Sequence, residues 1–249
     1  MAVSLLCSTR LISHLRKLVT SSLLILAFWV SHASSQSSQE VFIHTVAKAA
    51  QSGNAESLRT RTWLAQRYVY FQLSPQDQAI VLDLADEFWV DVDDKSFKQI
   101  VGELLIKIDE VPPSLVVAQA INESGWGRSR FAQEANNLFG MWCYTPGCGL
   151  VPERRRPKDK HEVKRYASIQ ASVDEYLRNI NRNKAYIELR ALRAEQRQRL
   201  QPLSGEYLAQ GLRRYSSIGA EYVNRIRSII RSRRLDRLNQ QYKVPGYRR

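Results

Sequence analysis

Glu123 is the residue on which chemistry could turn. It follows a segment in which Leu115, Val116, Val117, Ala118, Ala120 and Ile121 are apolar, and it precedes Ser124-Gly125-Trp126-Gly127. Pro112 and Pro113 suit the first turn of a helix. A helix that is apolar on most sides is a buried one, and Gly125 is a stop signal. A lone carboxylate in the last turn of such a helix is pushed toward its neutral form by burial and by the negative end of the helix dipole. A general acid working near neutral pH needs that bias. A carboxylate paired with Arg128 or Arg130, merely fixing the turn, fits the same residues, and the stretch by itself leaves both readings open.

AQAINESGWGRSRFA, followed by NNLFG, resembles the signature of bacterial peptidoglycan endo-β-N-acetylglucosaminidases, family 73 of the glycoside hydrolases, which includes the Bax-type proteins. The resemblance runs from about Lys98 to about Arg231. ESGWG alone is shared in part by goose-type lysozymes and lytic transglycosylases, which carry a similar Glu-Ser pair, whereas ESGWG with NNLFG at this spacing is narrower. The resemblance implies a catalytic acid at Glu123 and hydrolysis of the N-acetylglucosaminyl β-1,4 bond of peptidoglycan. A lytic transglycosylase or muramidase on the same polymer, or a wall-binding protein without catalysis, are the alternatives. No metal and no cofactor is implied.

Glycoside hydrolysis ordinarily uses two carboxylates. By the resemblance the second lies in a β lobe, where Glu153 matches the expected place and Glu162 is the rival, with Asp159 behind both. Three arginines after Glu153 should keep it ionised, which suits a base or charge stabiliser and equally suits a surface ion pair. The acetamido oxygen of the substrate can also act as nucleophile. Tyr215 would then polarise it, since it matches the first tyrosine of the family's YATDP-type motif. This chain reads YSSIGAEY there, one residue longer before Tyr222, and Tyr215 could instead be a core aromatic with a satisfied hydroxyl. Trp126, Phe139, Trp142 and Tyr144 are candidates for stacking on sugar rings, Trp142 foremost. Asn137 either orients Glu123 or turns the chain.

These residues need a scaffold, and the pattern predicts a mainly α, lysozyme-like domain with a small two-stranded β lobe that forms a groove with it. Val41 to about Arg61 is weakly patterned and predicts partial helix. Ser74-Pro75 opens a helix with Ile80, Leu84 and Phe88 along one side and Val81 beside them. A helix from Lys95 buries Phe97, Ile100, Val101, Leu104, Leu105 and Ile108. Arg128 to Glu134 predicts a short helix. Met141 to Cys143 and Val163 to Tyr166 predict the paired strands, joined by a loop carrying Arg154, Arg155, Arg156, Lys158 and Lys160. Ser168 and Ser204 cap later helices, and Glu221 starts the last, with Val223, Ile226 and Ile230 inward. The glucosaminidase domain with its leading helices is expected over 71–236, followed by a basic tail to 249.

The chain has 249 residues, 44% of them hydrophobic, enough for one domain with a real core, and a formal net charge of +13. Arg10, Arg16 and Lys17, the apolar run Leu18 to Val30, and Ser31-His32-Ala33 read as a signal peptide cleaved after Ala33; an uncleaved anchor is the alternative. A Ser/Gln linker, Ser34 to Gln39, would follow. Export turns a basic chain away from nucleic acid and toward an anionic cell wall or membrane surface, in a periplasmic or secreted location, and a monomer is expected. Cys143 and Cys148, an even pair in an exported chain, read as a disulfide. Zinc would need four ligands, and His161 offers only one more.

Overall fold

The computed structural model describes residues 5–70, 73–153, 155, 156 and 158–241, with side chains described within 38–240. Two compact units are distinguished, 1–43 and 44–249. The first carries the start of helix α1 (Leu5–Tyr70). The expected cleavage point at Ala33 lies outside the residues whose side chains are described. Ser34 to Gln39, expected as a linker, continues α1. Serine and glutamine lower helix propensity only modestly against alanine, and helix on both sides of them carries the segment through. Among the described residues, no helix is long and apolar enough to cross a membrane.

The second unit is lysozyme-like: mainly α, with a small antiparallel β lobe. Its leading layer packs α1 against α2 (Pro75–Glu87) and α3 (Phe97–Lys107), with Leu64, Val81, Ala85, Phe88, Ile100, Val101 and Leu104 in the shared core. Ser74 and Ser96 start these helices with reciprocal capping boxes. The buried stripe of α2 runs through Val81, Ala85 and Phe88, while Ile80 is 39% exposed. The expected face is the one that packs, with Leu84 half-buried against the same core and Ile80 at its edge.

Helix α4 (Pro113–Ser124) is the central element, with its residues from Pro113 to Ile121 all buried. Its start is held from two sides. The Asn54 amide donates to the Val111 carbonyl and accepts from the Val111 N–H, and Asn239 accepts from the Ser114 N–H. After α6 (Ile169–Arg182), which reaches it through Tyr176, and α7 (Ile187–Gln198), the helices α8 (Gly205–Leu208), α9 (Ala220–Ser232) and α10 (Leu238–Gln241) pack on it. Gly205 is required where α8 meets α4, since a β carbon there would collide with Ser114 Oγ. The short helix α5 (Arg130–Ala135) lies between α4 and the β lobe.

The lobe has three strands, not the two expected: β1 (Trp142–Cys143), β2 (Gly149–Leu150) and β3 (Glu162–Lys164), in the order β1-β3-β2. The extra strand is two residues long, below what alternation can reveal. Gly149 permits it, because a β carbon there would strike the Val163 carbonyl.

A buried ion cluster ties the leading layer to the central one. Asp109 lies among Arg61, Arg193 and Arg197. Arg193, fully buried, also donates to the carbonyls of Ile106, Lys107, Asp109 and Glu110 and to Asn181. Desolvation brings the Arg193 guanidinium down to about 10. Burial alone would raise Asp109, but the charge of Arg193 and the hydrogen bond from Arg197 outweigh it and hold the carboxyl below its ordinary range.

Candidate functional site

Glu123 sits in the last turn of α4 and is half-buried rather than enclosed. The turn after it is made by three successive left-handed residues: Gly125 (φ 58°), Trp126 (φ 66°) and Gly127 (φ 72°). Glycine takes this conformation freely, whereas a large side chain such as Trp126 takes it at a cost. Ser124 holds the turn closed. Its hydroxyl donates to the Ala120 carbonyl (2.6 Å) and accepts from the Gly127 N–H (2.8 Å), and its carbonyl accepts from Ser129 N–H (3.0 Å). Each letter after the glutamate therefore has a local physical task. Neither arginine once considered as its partner is found on Glu123: Arg128 donates to the Gly125 carbonyl, and Arg130 faces Glu153.

The hydroxyl that reaches Glu123 belongs to Tyr222, on α9. It donates to Oε1 at 2.7 Å and accepts from Gln119 Nε2 at 2.9 Å. The Gln119 carbonyl oxygen in turn accepts from the Tyr176 hydroxyl. Asn122 Nδ2 also donates to Oε1, at 3.1 Å. Burial raises the Tyr222 hydroxyl far above its usual pKa, reinforced by the Glu123 charge, and burial does the same for Tyr176. Both are neutral donors at any working pH. Gln119 and Tyr222 escaped the sequence reading, although Gln119 carried a signal: it is the polar residue four before Glu123, one turn back on the same helix face.

Tyr215 stands one ring further out. Its hydroxyl donates to the Phe139 carbonyl at 3.2 Å, and its ring stacks on Tyr222 with centroids 5.1 Å apart. Desolvation raises its pKa well above the ordinary value, with Tyr222 the next cause. The site thus places it behind Tyr222, with its hydroxyl on main chain.

The proposed sugar-stacking residues divide. Phe139 is buried and stacked on Tyr176 at 4.1 Å, so its ring is core. Trp126 is partly buried with Arg233 over its ring at 4.9 Å. Trp142 (55% exposed) and Tyr144 (69%) stand out on the lobe, Trp142 with one face against His161 at 3.9 Å. Asn137 is buried and braces the lobe rather than Glu123, donating to the carbonyls of Met141 and Lys164 and accepting from Met141 N–H.

The lobe carboxylates also divide. Glu162 is buried and accepts from the N–H groups of Gly147 (3.0 Å) and Gly149 (2.8 Å). These two bonds, Gly147 first, hold its pKa below the usual value. It is the brace of the loop closed by the Cys143–Cys148 disulfide, whose Cα atoms are 6.3 Å apart. The two sulfurs and Glu162 cluster closely, but with both thiols oxidised no thiolate remains to hold a metal. Glu153 is 80% exposed and 3.7 Å from Arg130. Asp159 is in the same loop, where Arg155 donates to the His161 carbonyl. A cavity between α1, α2 and α6 is lined by Glu56, Glu87, Asp174 and Arg178 and does not include Glu123.

A half-buried, helix-borne carboxylate held by a tyrosine, in a lysozyme-like domain that carries a disulfide-braced β lobe, is the arrangement the fold presents. The chain belongs to the Glucosaminidase family, described as mannosyl-glycoprotein endo-beta-N-acetylglucosaminidase, which matches residues 102–235. It is 32% identical to Protein bax of Escherichia coli (strain K12) over 186 residues, 75% of this chain and 66% of that protein. It is also 32% identical to Exo-glucosaminidase LytG of Bacillus subtilis (strain 168) over 81 residues, 30% of this chain and 29% of that protein. The chain thus spans just under two thirds of the first relative and under a third of the second. No solved structure matches.

Proposed function

We propose that the protein is a glycosidase that hydrolyses the N-acetylglucosaminyl β-1,4 bond in peptidoglycan glycan strands, with Glu123 as general acid. The observation that carries this reading is the position of Glu123: a half-buried carboxylate at a helix end, with both protein donors, Tyr222 and Asn122, on Oε1 and none seen on Oε2 among the described residues. Family membership and the glucosaminidase relative support the substrate class. Oε2 is then the oxygen that delivers a proton to the leaving oxygen. Water is activated by Glu153, or the substrate acetamide attacks the anomeric carbon first. We further propose that residues 1–33 are a signal peptide, that the mature protein acts in the periplasm or outside the cell, and that the arginines and lysines of the β2–β3 loop draw it to the anionic wall.

Purified sacculi provide the test. Wild-type protein is expected to solubilise them and to release glycans with reducing N-acetylglucosamine ends, read by mass analysis. Glu123→Gln is expected to lose on the order of 100- to 10,000-fold in rate while keeping its fold. Anhydro ends would make it a transglycosylase, and reducing muramic ends a muramidase. A folded Glu123→Gln protein with near wild-type turnover would remove Glu123 from the role.

A further inference from the structure

We infer that Gln119 is a positioning residue for the acid: held the right way round by Tyr176, its amide directs the Tyr222 hydroxyl proton onto Oε1 of Glu123 and so leaves the acid proton on Oε2. The inference rests on the glycosidase reading for its catalytic meaning, but the hydrogen-bond polarity stands on geometry alone.

Each group in the row has a fixed capacity. A tyrosine hydroxyl has one proton to give, and an amide has a donor end and an acceptor end. Tyr222 Oη lies within hydrogen-bond distance of both Gln119 Nε2 and Glu123 Oε1. The nitrogen can only donate, so the hydroxyl accepts from it and must give its own proton to Glu123. Which end of the amide faces Tyr222 follows from the proton count: turned over, Gln119 Oε1 and Glu123 Oε1 would compete for the single Tyr222 proton, and the Tyr176 hydroxyl would lose the acceptor it now has in Gln119 Oε1. Gln119 and Tyr176 are fully buried and Tyr222 nearly so. An unsatisfied polar group is costly there, and the row is held as a unit.

The consequence appears when Glu123 is protonated. Oε1 already receives two hydrogen bonds, from Tyr222 and Asn122. A proton on Oε1 would face a hydroxyl that already points its own proton at Oε1 and is held in that sense by the Gln119 donor on its other side. The neutral acid therefore carries its proton on Oε2. Without Gln119, Tyr222 becomes free to accept, and the proton gains a resting place on Oε1, where it cannot be delivered.

The variants are Gln119→Met, similar in length with neither donor nor acceptor, and Tyr176→Phe, which removes one hydroxyl and lets the amide turn over. Each is expected to lower kcat on a soluble glycan about ten-fold with KM nearly unchanged. The alkaline limb of the rate profile should move to higher pH, because the neutral acid gains a second arrangement. A mere packing defect would scale the profile without moving that limb. The activity-independent arm is the proton NMR resonance of the Tyr222 hydroxyl, identified by its loss in Tyr222→Phe. It is expected far downfield in wild type and shifted upfield in both variants. If Gln119→Met does not fold, Tyr176→Phe carries the same test. A folded variant with the alkaline limb and the hydroxyl resonance both unmoved overturns the inference. A wild-type protein inactive on every glycan defeats the functional proposal instead, and the resonance still decides the polarity.

Discussion

Two tyrosines compete for the role beside the acid, and a pair of Phe substitutions separates them. Tyr222→Phe removes the 2.7 Å hydrogen bond to Glu123, leaves Asn122 as the remaining protein donor on Oε1, and strands Gln119 Nε2 in a buried site. A hydrogen bond to a charged group is worth about 1.5–3 kcal/mol. If the orientation it enforces is carried fully into the transition state, turnover falls roughly 10- to 150-fold, at about 1.4 kcal/mol per factor of ten. Tyr215→Phe removes a neutral bond to the Phe139 carbonyl, at 3.2 Å, and keeps the ring stacked on Tyr222. That bond is worth about 0.5–1.5 kcal/mol of stability, and activity is expected to stay within about three-fold. The assay is steady-state hydrolysis of short soluble glycans, with a thermal melt on each variant to show that both are folded. If Tyr215→Phe proves the more damaging at equal foldedness, the substrate contact lies with Tyr215 and the geometric ordering is wrong.

Asp109→Asn is expected to cost about 3–5 kcal/mol, because it leaves Arg61, Arg193 and Arg197 facing one another without their shared carboxylate; for a domain of this size that is a Tm lower by about 6–20 °C. Asp109 is depressed below its usual 3.8, so its stabilisation is present above that pH and lost as pH falls through the lower folded value. Wild-type Tm should accordingly drop more steeply below about pH 4 than that of the Asn variant. Glu162→Gln should loosen the disulfide loop, read as amide hydrogen exchange at Gly147 and Gly149 faster by about ten-fold or more while protection in α4 is unchanged; unchanged exchange at those two amides counts against it. Neutralising Arg154, Arg155 and Arg156 together should weaken sacculus binding at low salt, where screening is weak. It should spare turnover on a short glycan; a triple variant that loses that turnover while Glu153→Gln keeps it would place the loop on the reacting sugars.

Much of the frame was legible because its signals are local. Ser74, Ser168 and Ser204 each cap the helix expected of them, and the apolar run into Glu123 is the buried helix it resembles. The failures have physical reasons. The helix over 44–70 has a mixed composition that the burial of Val46, Ala47, Ala50, Leu58 and Leu64 settles, not propensity. Phe139 and Asn137 look like site residues in sequence because they adjoin the acid's neighbours. A buried aromatic on Tyr176 and an amide that stitches a β lobe leave the same mark as a subsite and an orienting group. Tyr222 was hidden by distance along the chain: 99 residues separate it from Glu123, and only the packing of α9 on α4 brings them together.

The second carboxylate is where sequence and structure pull apart most usefully. The lobe offered two glutamates of similar promise, and their surroundings now differ sharply. Glu162 is held by two backbone N–H groups under the disulfide, so withdrawing it would undo the loop it supports. Glu153 is 80% exposed, with Arg130 at 3.7 Å as its ion-pair partner. An exposed loop residue is not preorganised for catalysis until something orders it. On the proposed reading, the acid side of the reaction is built into the buried helix and the Tyr222–Gln119–Tyr176 row before substrate arrives. The other side must be completed by substrate, either by folding the loop of Glu153 onto the sugar or by presenting the acetamide itself. The division predicts its own signature: Glu153→Gln lowers kcat strongly if the loop is recruited as base and hardly at all if the acetamide attacks, whereas Glu123→Gln is severe in both cases.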